Sequence, residues 1–306
     1  MMKRILRWLI LGGTLFFLAK ALKDNWQGIA TVRIDAVGWA ILAVATGITL
    51  LAHTWAGWIW AWVLQDLNQP IHSSQFVQVY LKTNIAKYIP GNVWHYYGRI
   101  LAAKNASIPL EIATLSVLLE LPLMAAAALI IFLLNSQFLL GSSTLYLQII
   151  QLFCLLGVLG GLHPKFLNFG MTIVQRLKVK KSDPTSNSTF TISHYPLRPL
   201  LGELGFVFLR AFGFVLTLFA LSPLNWNHLP LLVGAFSFSW LLGFIVPGAP
   251  GGLGVFEATA IALLQSHFPT VLVISAVGLY RLISIFAETT GAILTWFDER
   301  FFSLKP

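Results

Sequence analysis

The sequence predicts an all-α polytopic membrane protein: about six full spans, two re-entrant Pro-Gly hairpins and an inverted-topology repeat. Three observations carry that reading. The 306 residues are 57% hydrophobic and only 10% charged, far from the roughly 25% charged residues of a soluble domain. Several apolar runs exceed the ~18 residues that cross a bilayer. Two Pro-Gly breaks, at "KYIPGNVWHYYGR" (87–99) and "VPGAPGGLGVFEA" (246–258), interrupt the chain at matched positions in its two halves.

The elements follow in order. Residues 1–35 form an N-terminal helix and loop, with Lys3, Arg4 and Arg7 ahead of the apolar run 5–22. A cleaved signal peptide is the alternative reading. The run is long for a signal core, and Lys20 suits a cleavage site poorly, so a retained helix is expected. Full spans are expected near 5–22, 38–64, 110–135, 145–162, 199–221 and 270–296. The basic N-terminus lies on the cytoplasmic side by the positive-inside rule, and so does the long polar loop 163–198, with Lys165, Arg176, Lys178, Lys180, Lys181 and Arg198. Within it, "KKSDPTSNSTFTISHYP" has the composition of a flexible linker. That sidedness requires the chain between 64 and 110 to return to the side it left. It holds Lys82, Lys87, Arg99 and Lys104 and the first break, so a cytoplasmic hairpin is expected near 76–107. By the same count a hairpin near 229–266 starts and ends outside, and the C-terminus falls inside. The protein is thus expected in the cell membrane.

The halves, 38–135 and 199–297, superimpose at an offset of 160: Pro70 meets Pro230, Pro90 meets Pro250, Gly91 meets Gly251, and Pro109 meets Pro269. Repeats of this kind, inverted in the membrane, place a substrate site at broken helices near the midplane. Proline removes a backbone donor, and the freed groups are tolerated in a membrane only where protein buries them or a wet cavity is lined. A helix restarting after such a break offers N–H groups to an anion. A plain kink with glycine packing is the structural alternative.

Lys87, Tyr88, Pro90, Gly91 and Arg99, with Pro250, Gly251, Gly252, Gly254 and Glu257, and Arg281 in the last span, resemble the two signatures of the lysylphosphatidylglycerol synthase transmembrane-region family. The resemblance covers essentially the whole chain. It implies a stand-alone flippase-like module that translocates or binds a phospholipid, glycophospholipid or polyprenyl-phosphate head group. The family's soluble aminoacyl-transferase domain has no counterpart segment here. Two departures stand out: Glu120-Leu121 where the family often has Glu-Arg, and an aromatic "NVWHYY" where a glycine-rich turn is usual.

Charge inside the membrane selects the remaining candidates. Glu120, Arg210, Arg281 and Glu288 fall deep in apolar runs, where an ionisable residue costs about 2.5–3.5 kcal/mol on insertion scales and is normally paired or functional. Glu120 and Arg281 lie one position apart on the repeat alignment and are expected to meet. Glu257 is expected beside Arg281 or Arg210. Lys87, His95 and Arg99 belong to the inner hairpin, and arginine suits a lipid phosphate. The plainer readings are structural ion pairs, positive-inside lysines, and interfacial anchoring for Trp94, Tyr96 and Tyr97. The net charge of +9 is accounted for by loop bias rather than nucleic acid. His53, His72, His163 and His194 lack metal-ligand spacing. No P-loop or nucleophile elbow is present, so no cofactor is expected. Membrane lipids are the expected partners, with a second copy of the chain or an envelope-synthesis protein as protein partners. An intramembrane enzyme or accessory subunit in lipid-linked sugar or aminoacyl-lipid synthesis, and a non-transporting scaffold, are the competing functions.

Overall fold

The computed structural model describes residues 26–89, 93–140, 144–179, 194–246 and 250–301, with Lys20, Lys23, Asp24 and Ile192. The expected first span, the linker 180–191, and Pro90 and Gly91 of the first break lie outside them. Among the described residues there are helices and turns but no strand. The helices are α1 (Trp26–Thr31), α2 (Ala36–Asp66), α3 (Ser73–Asn84), α4 (Trp94–Asn105), α5 (Leu110–Leu140), α6 (Leu145–Gly161), α7 (Pro164–Val179), α8 (Leu197–Phe219), α9 (Leu229–Ile245), α10 (Val255–Leu264) and α11 (Thr270–Phe301).

Five helices among the described residues, counting α9 with the turn at Trp226–His228, are long and apolar enough to cross a membrane. This is the architecture of a multi-pass membrane protein. The expected span at 145–162 is α6, a peripheral helix with no buried residue. It reaches span length only together with the start of α7, across a 66° bend. Pro164 opens α7 at that bend, and the expected loop 163–198 is therefore helical as far as Val179. The two expected hairpins are unequal. Helices α3 and α4 have 12 residues each, about 18 Å at 1.5 Å per residue, too short for a ~30 Å hydrocarbon core. By contrast α9 and its turn, at 20 residues, are long enough to cross alone. The difference is compositional: α3 is half polar ("SSQFVQVYLKTN"), whereas "LPLLVGAFSFSWLLGFI" has no ionisable residue.

Local chemistry explains the long helices. Asp35 caps α2 by accepting from the Gly38 N–H at 2.7 Å. Thr46, Thr49 and Thr54 return their hydroxyl protons to carbonyls four residues back, at 2.8, 2.8 and 3.0 Å, so they bring no unmet polar group into the apolar interior. Pro122 sits inside α5, just after Glu120.

The core forms where α2 lies against α8, α5 against α8 and α9, and α11 against α2 and α3. Trp60 is fully buried and packs edge-on against Phe76 of α3. Its indole N–H donates to Ser116 Oγ of α5 at 3.1 Å. A Cβ on Gly213 would stand 2.7 Å from Thr49 Oγ1, so glycine lets α8 close on α2. Large apolar side chains such as Phe153, Phe208, Leu282 and Phe286 are exposed on the outside of the bundle, as a lipid-facing surface requires. Six charged side chains among the described residues, Arg99, Glu120, Glu203, Arg210, Glu257 and Glu288, are nonetheless buried in the packed interior.

Candidate functional site

The second break meets the turn that precedes the first. Pro250–Gly252 is a short turn with Gly251 at φ 58°, Gly252 at 74° and Gly254 at 84°, the left-handed region that glycine alone occupies freely. A Cβ on Gly251 would lie 2.8 Å from the Tyr88 ring, so the second break packs on the aromatic residue just ahead of the first. Tyr88 closes a 3₁₀ turn, Ile85–Tyr88, which also carries Lys87.

Four groups of charge surround this junction. Arg99 of α4, buried, donates through Nη1 to both oxygens of Glu120 of α5, at 3.0 and 2.8 Å. Its guanidinium lies 3.6 Å from the centre of the Tyr80 ring. Arg281 of α11 donates through Nε to Glu257 Oε1 at 2.6 Å and through Nη1 to the Gly251 carbonyl at 3.0 Å. Glu257 Oε2 accepts from the Gly254 N–H at 2.7 Å, the carboxylate half of a capping box at the start of α10. The expected meeting of Glu120 with Arg281 is thus corrected. Each has a partner within its own half, because the short hairpin helix packs directly on the span that follows it.

The third group centres on Glu288 of α11. Its Oε1 lies 2.6 Å from Lys87 Nζ, 3.0 Å from His53 Nε2 and 3.6 Å from Arg210 Nη1. Arg210 Nη1 is also 2.7 Å from His53 Nε2, and Asn84 Nδ2 is 3.3 Å from His53 Nδ1. One ring nitrogen cannot donate to Glu288 and accept from Arg210 at the same moment. His53 therefore satisfies one neighbour at a time. The fourth group is Glu203 of α8, fully buried, with neither oxygen hydrogen-bonded.

These side chains line or back a half-open cavity of about 100 Å³, bounded by Lys87, His95, Tyr96, Arg99, Arg210, Trp240, Gly251, Gly252 and Arg281. That leaves room for a compact anionic group. Arg99 Nε, Arg210 Nε and Arg281 Nη2 are buried without a hydrogen-bond partner. Guanidinium groups are matched to carboxylate and phosphate oxygens, and these three buried N–H groups have no oxygen opposite them.

The structure brings Lys87, His95, Arg99, Arg210, Gly251, Gly252 and Arg281 to the cavity wall, with Glu120, Glu257 and Glu288 as their carboxylate supports or neighbours. Pro250 and Gly254 shape the second turn. Trp94 and Tyr97 are exposed, as anchors would be, but Tyr96 faces the cavity. Sequence reasoning passed over Tyr80, Asn84 and Glu203, and weighed His53 only as a metal ligand. A signal existed for two of them: His53 and Glu203 are ionisable residues inside apolar runs, and Glu203 stands seven residues before Arg210, on the same side of α8. No metal-competent cluster of His, Cys, Asp or Glu occurs among the described residues. Compared with known proteins, the chain matches no protein-family model and no curated protein.

Proposed function

We propose that this chain binds the phosphate-bearing head group of an anionic membrane lipid in its central cavity and carries it across the bilayer. One observation carries the reading: the cavity is walled by Lys87, Arg99, Arg210 and Arg281, and the three arginines each keep a buried N–H with no partner. The head group enters the cavity while the tails stay in the surrounding lipid.

The same reading includes an inverted repeat with two re-entrant hairpins. At the offset of 160, α3, α4 and α5 correspond to 233–244, 254–265 and 270–300, against α9, α10 and α11 at Leu229–Ile245, Val255–Leu264 and Thr270–Phe301. The packing repeats too: α5 lies on α9 and α8, as α11 lies on α3 and α2. The ion pairs repeat with their charges exchanged. The first hairpin supplies the cation (Arg99) and the next span the carboxylate (Glu120); the second hairpin supplies the carboxylate (Glu257) and the next span the cation (Arg281). Two such latches, each able to give its arginine to a phosphate, are what alternate opening to either side needs. The motif resemblance to the lysylphosphatidylglycerol synthase transmembrane-region family points the same way.

The site is tested by placing a photoreactive amino acid at Trp240, on the cavity wall, and irradiating the protein in mixed vesicles. Adducts with anionic phospholipid, reduced by Arg99→Ala, are expected. Equal labelling of a neutral diacylglycerol would remove phosphate from the account.

A further inference from the structure

Glu203 has no place in the latches just described. It lies on α8 about 9 Å from the helix start, at ~1.5 Å per residue. It is fully buried, and neither carboxyl oxygen has a hydrogen-bond partner. Its surroundings are known from each side. Arg99 of α4 and Glu120 of α5 act on it electrostatically, and it acts on Tyr80 of α3 and Tyr96 of α4. Helix α9 carries no ionisable side chain. The histidine of α2, His53, is turned to Glu288, and Asp35 and Asp66 stand at that helix's two ends. The charges of α11 nearest the cavity, Arg281 and Glu288, are engaged with Glu257 and Lys87.

An ionised carboxylate so placed has only Arg99, already paired with Glu120, to set against its lost hydration; with no hydrogen bond to either oxygen, the arrangement suits the protonated acid. With Glu203 neutral, and the imidazoles of His53 and His95 counted as neutral, the cavity's charges do not cancel. Lys87, Arg99, Arg210 and Arg281 face three carboxylates, Glu120, Glu257 and Glu288, which leaves one positive charge. A phosphodiester monoanion supplies the missing negative charge. Loss of the Glu203 proton supplies it instead, and sets a second carboxylate against Arg99.

Resting on the proposed lipid-phosphate site, we infer that Glu203 is a proton-binding residue that couples the cavity to pH: a phosphodiester occupies the cavity together with one proton on Glu203, and deprotonation of Glu203 displaces it. Glu203 stands between two cavities along α8. Gly202, its neighbour in sequence, lines one of about 670 Å³ between the end of α2 and the start of α8, while Phe206, one turn on, lines the central one.

The test uses the full chain in detergent with short-chain phosphatidylglycerol as the probe, binding being read by calorimetry. As pH rises through the titration of Glu203, wild-type affinity falls up to tenfold per pH unit, and calorimetry in buffers of different ionisation enthalpy records about one proton taken up per lipid. Glu203→Gln mimics the acid and binds with an affinity that no longer changes with pH; Glu203→Asp keeps the dependence. Because the proton count is made on wild type, a variant that fails to fold does not spoil the test. Above that titration, where Glu203 of the free protein is ionised, binding without proton uptake overturns this inference and leaves the site standing. Proton uptake that persists in folded Glu203→Gln also overturns it. No binding at any pH overturns the lipid-phosphate reading and this inference with it.

Discussion

Arg99 is the residue on which the site's chemistry turns. It contacts both Glu120 oxygens, lies on the Tyr80 ring and keeps Nε spare. Lysine reproduces the charge but neither the planar stacking nor the fork. Arg99→Lys is therefore expected to retain a minor part of lipid translocation in reconstituted vesicles, and Arg99→Ala to lose at least tenfold. Full activity in Arg99→Ala would take Arg99 out of the site. The alanine variant also strands Glu120. Removing one partner of a buried pair costs about 3–5 kcal/mol, so Arg99→Ala should melt well below wild type. Adding Glu120→Gln should recover stability without recovering translocation. Recovery of both would make the pair purely structural.

At the scale of elements, the second break depends on Glu257 and Gly251. Glu257 does two jobs, one per oxygen: it caps α10 through Gly254 and holds Arg281. Glu257→Gln keeps an acceptor for the cap and gives up the charged pair. Glu257→Ala gives up both, and a lost cap adds about 0.5–2 kcal/mol. Translocation should fall in both variants, with the larger drop in melting temperature in Glu257→Ala. Equal melting temperatures would show that the cap contributes nothing. Gly251→Ala meets the Tyr88 ring and a φ of 58° together. A loss of about 1–3 kcal/mol is expected from backbone strain alone, and Tyr88→Ala should relieve only the steric remainder. Wild-type melting behaviour in Gly251→Ala would contradict the tight contact between the second break and Tyr88. The apolar runs and prolines made α2, α5, α8 and α11 legible in the sequence, because length and hydropathy are local properties. Helix α9 was read as a hairpin arm although it is long enough to cross alone; loop charge speaks to sidedness, not to how deep a helix runs. Partner choice was not legible. Glu120 pairs with Arg99 rather than Arg281 because α4 folds back onto α5, and Glu203 carried no motif to single it out.

For the whole molecule, the account requires two halves inserted in opposite senses. In a background where the exposed Cys154 is replaced by alanine, cysteines at Asn227 and Leu140 should react with an impermeant reagent from outside, and cysteines at Lys104 and Thr185 only from inside. Outside labelling at Thr185 would sink both the topology and the inverted repeat. The central claim, that the cavity moves a lipid phosphate, is tested most directly by head-group exchange between leaflets. Vesicles containing a fluorescent anionic phospholipid are reconstituted with the protein and quenched from outside. Wild type should expose the inner-leaflet probe to quencher, and the double variant Arg99→Ala, Arg281→Ala should leave it protected as in protein-free vesicles. Protection with folded wild type, or equal exposure with the double variant, would contradict the account.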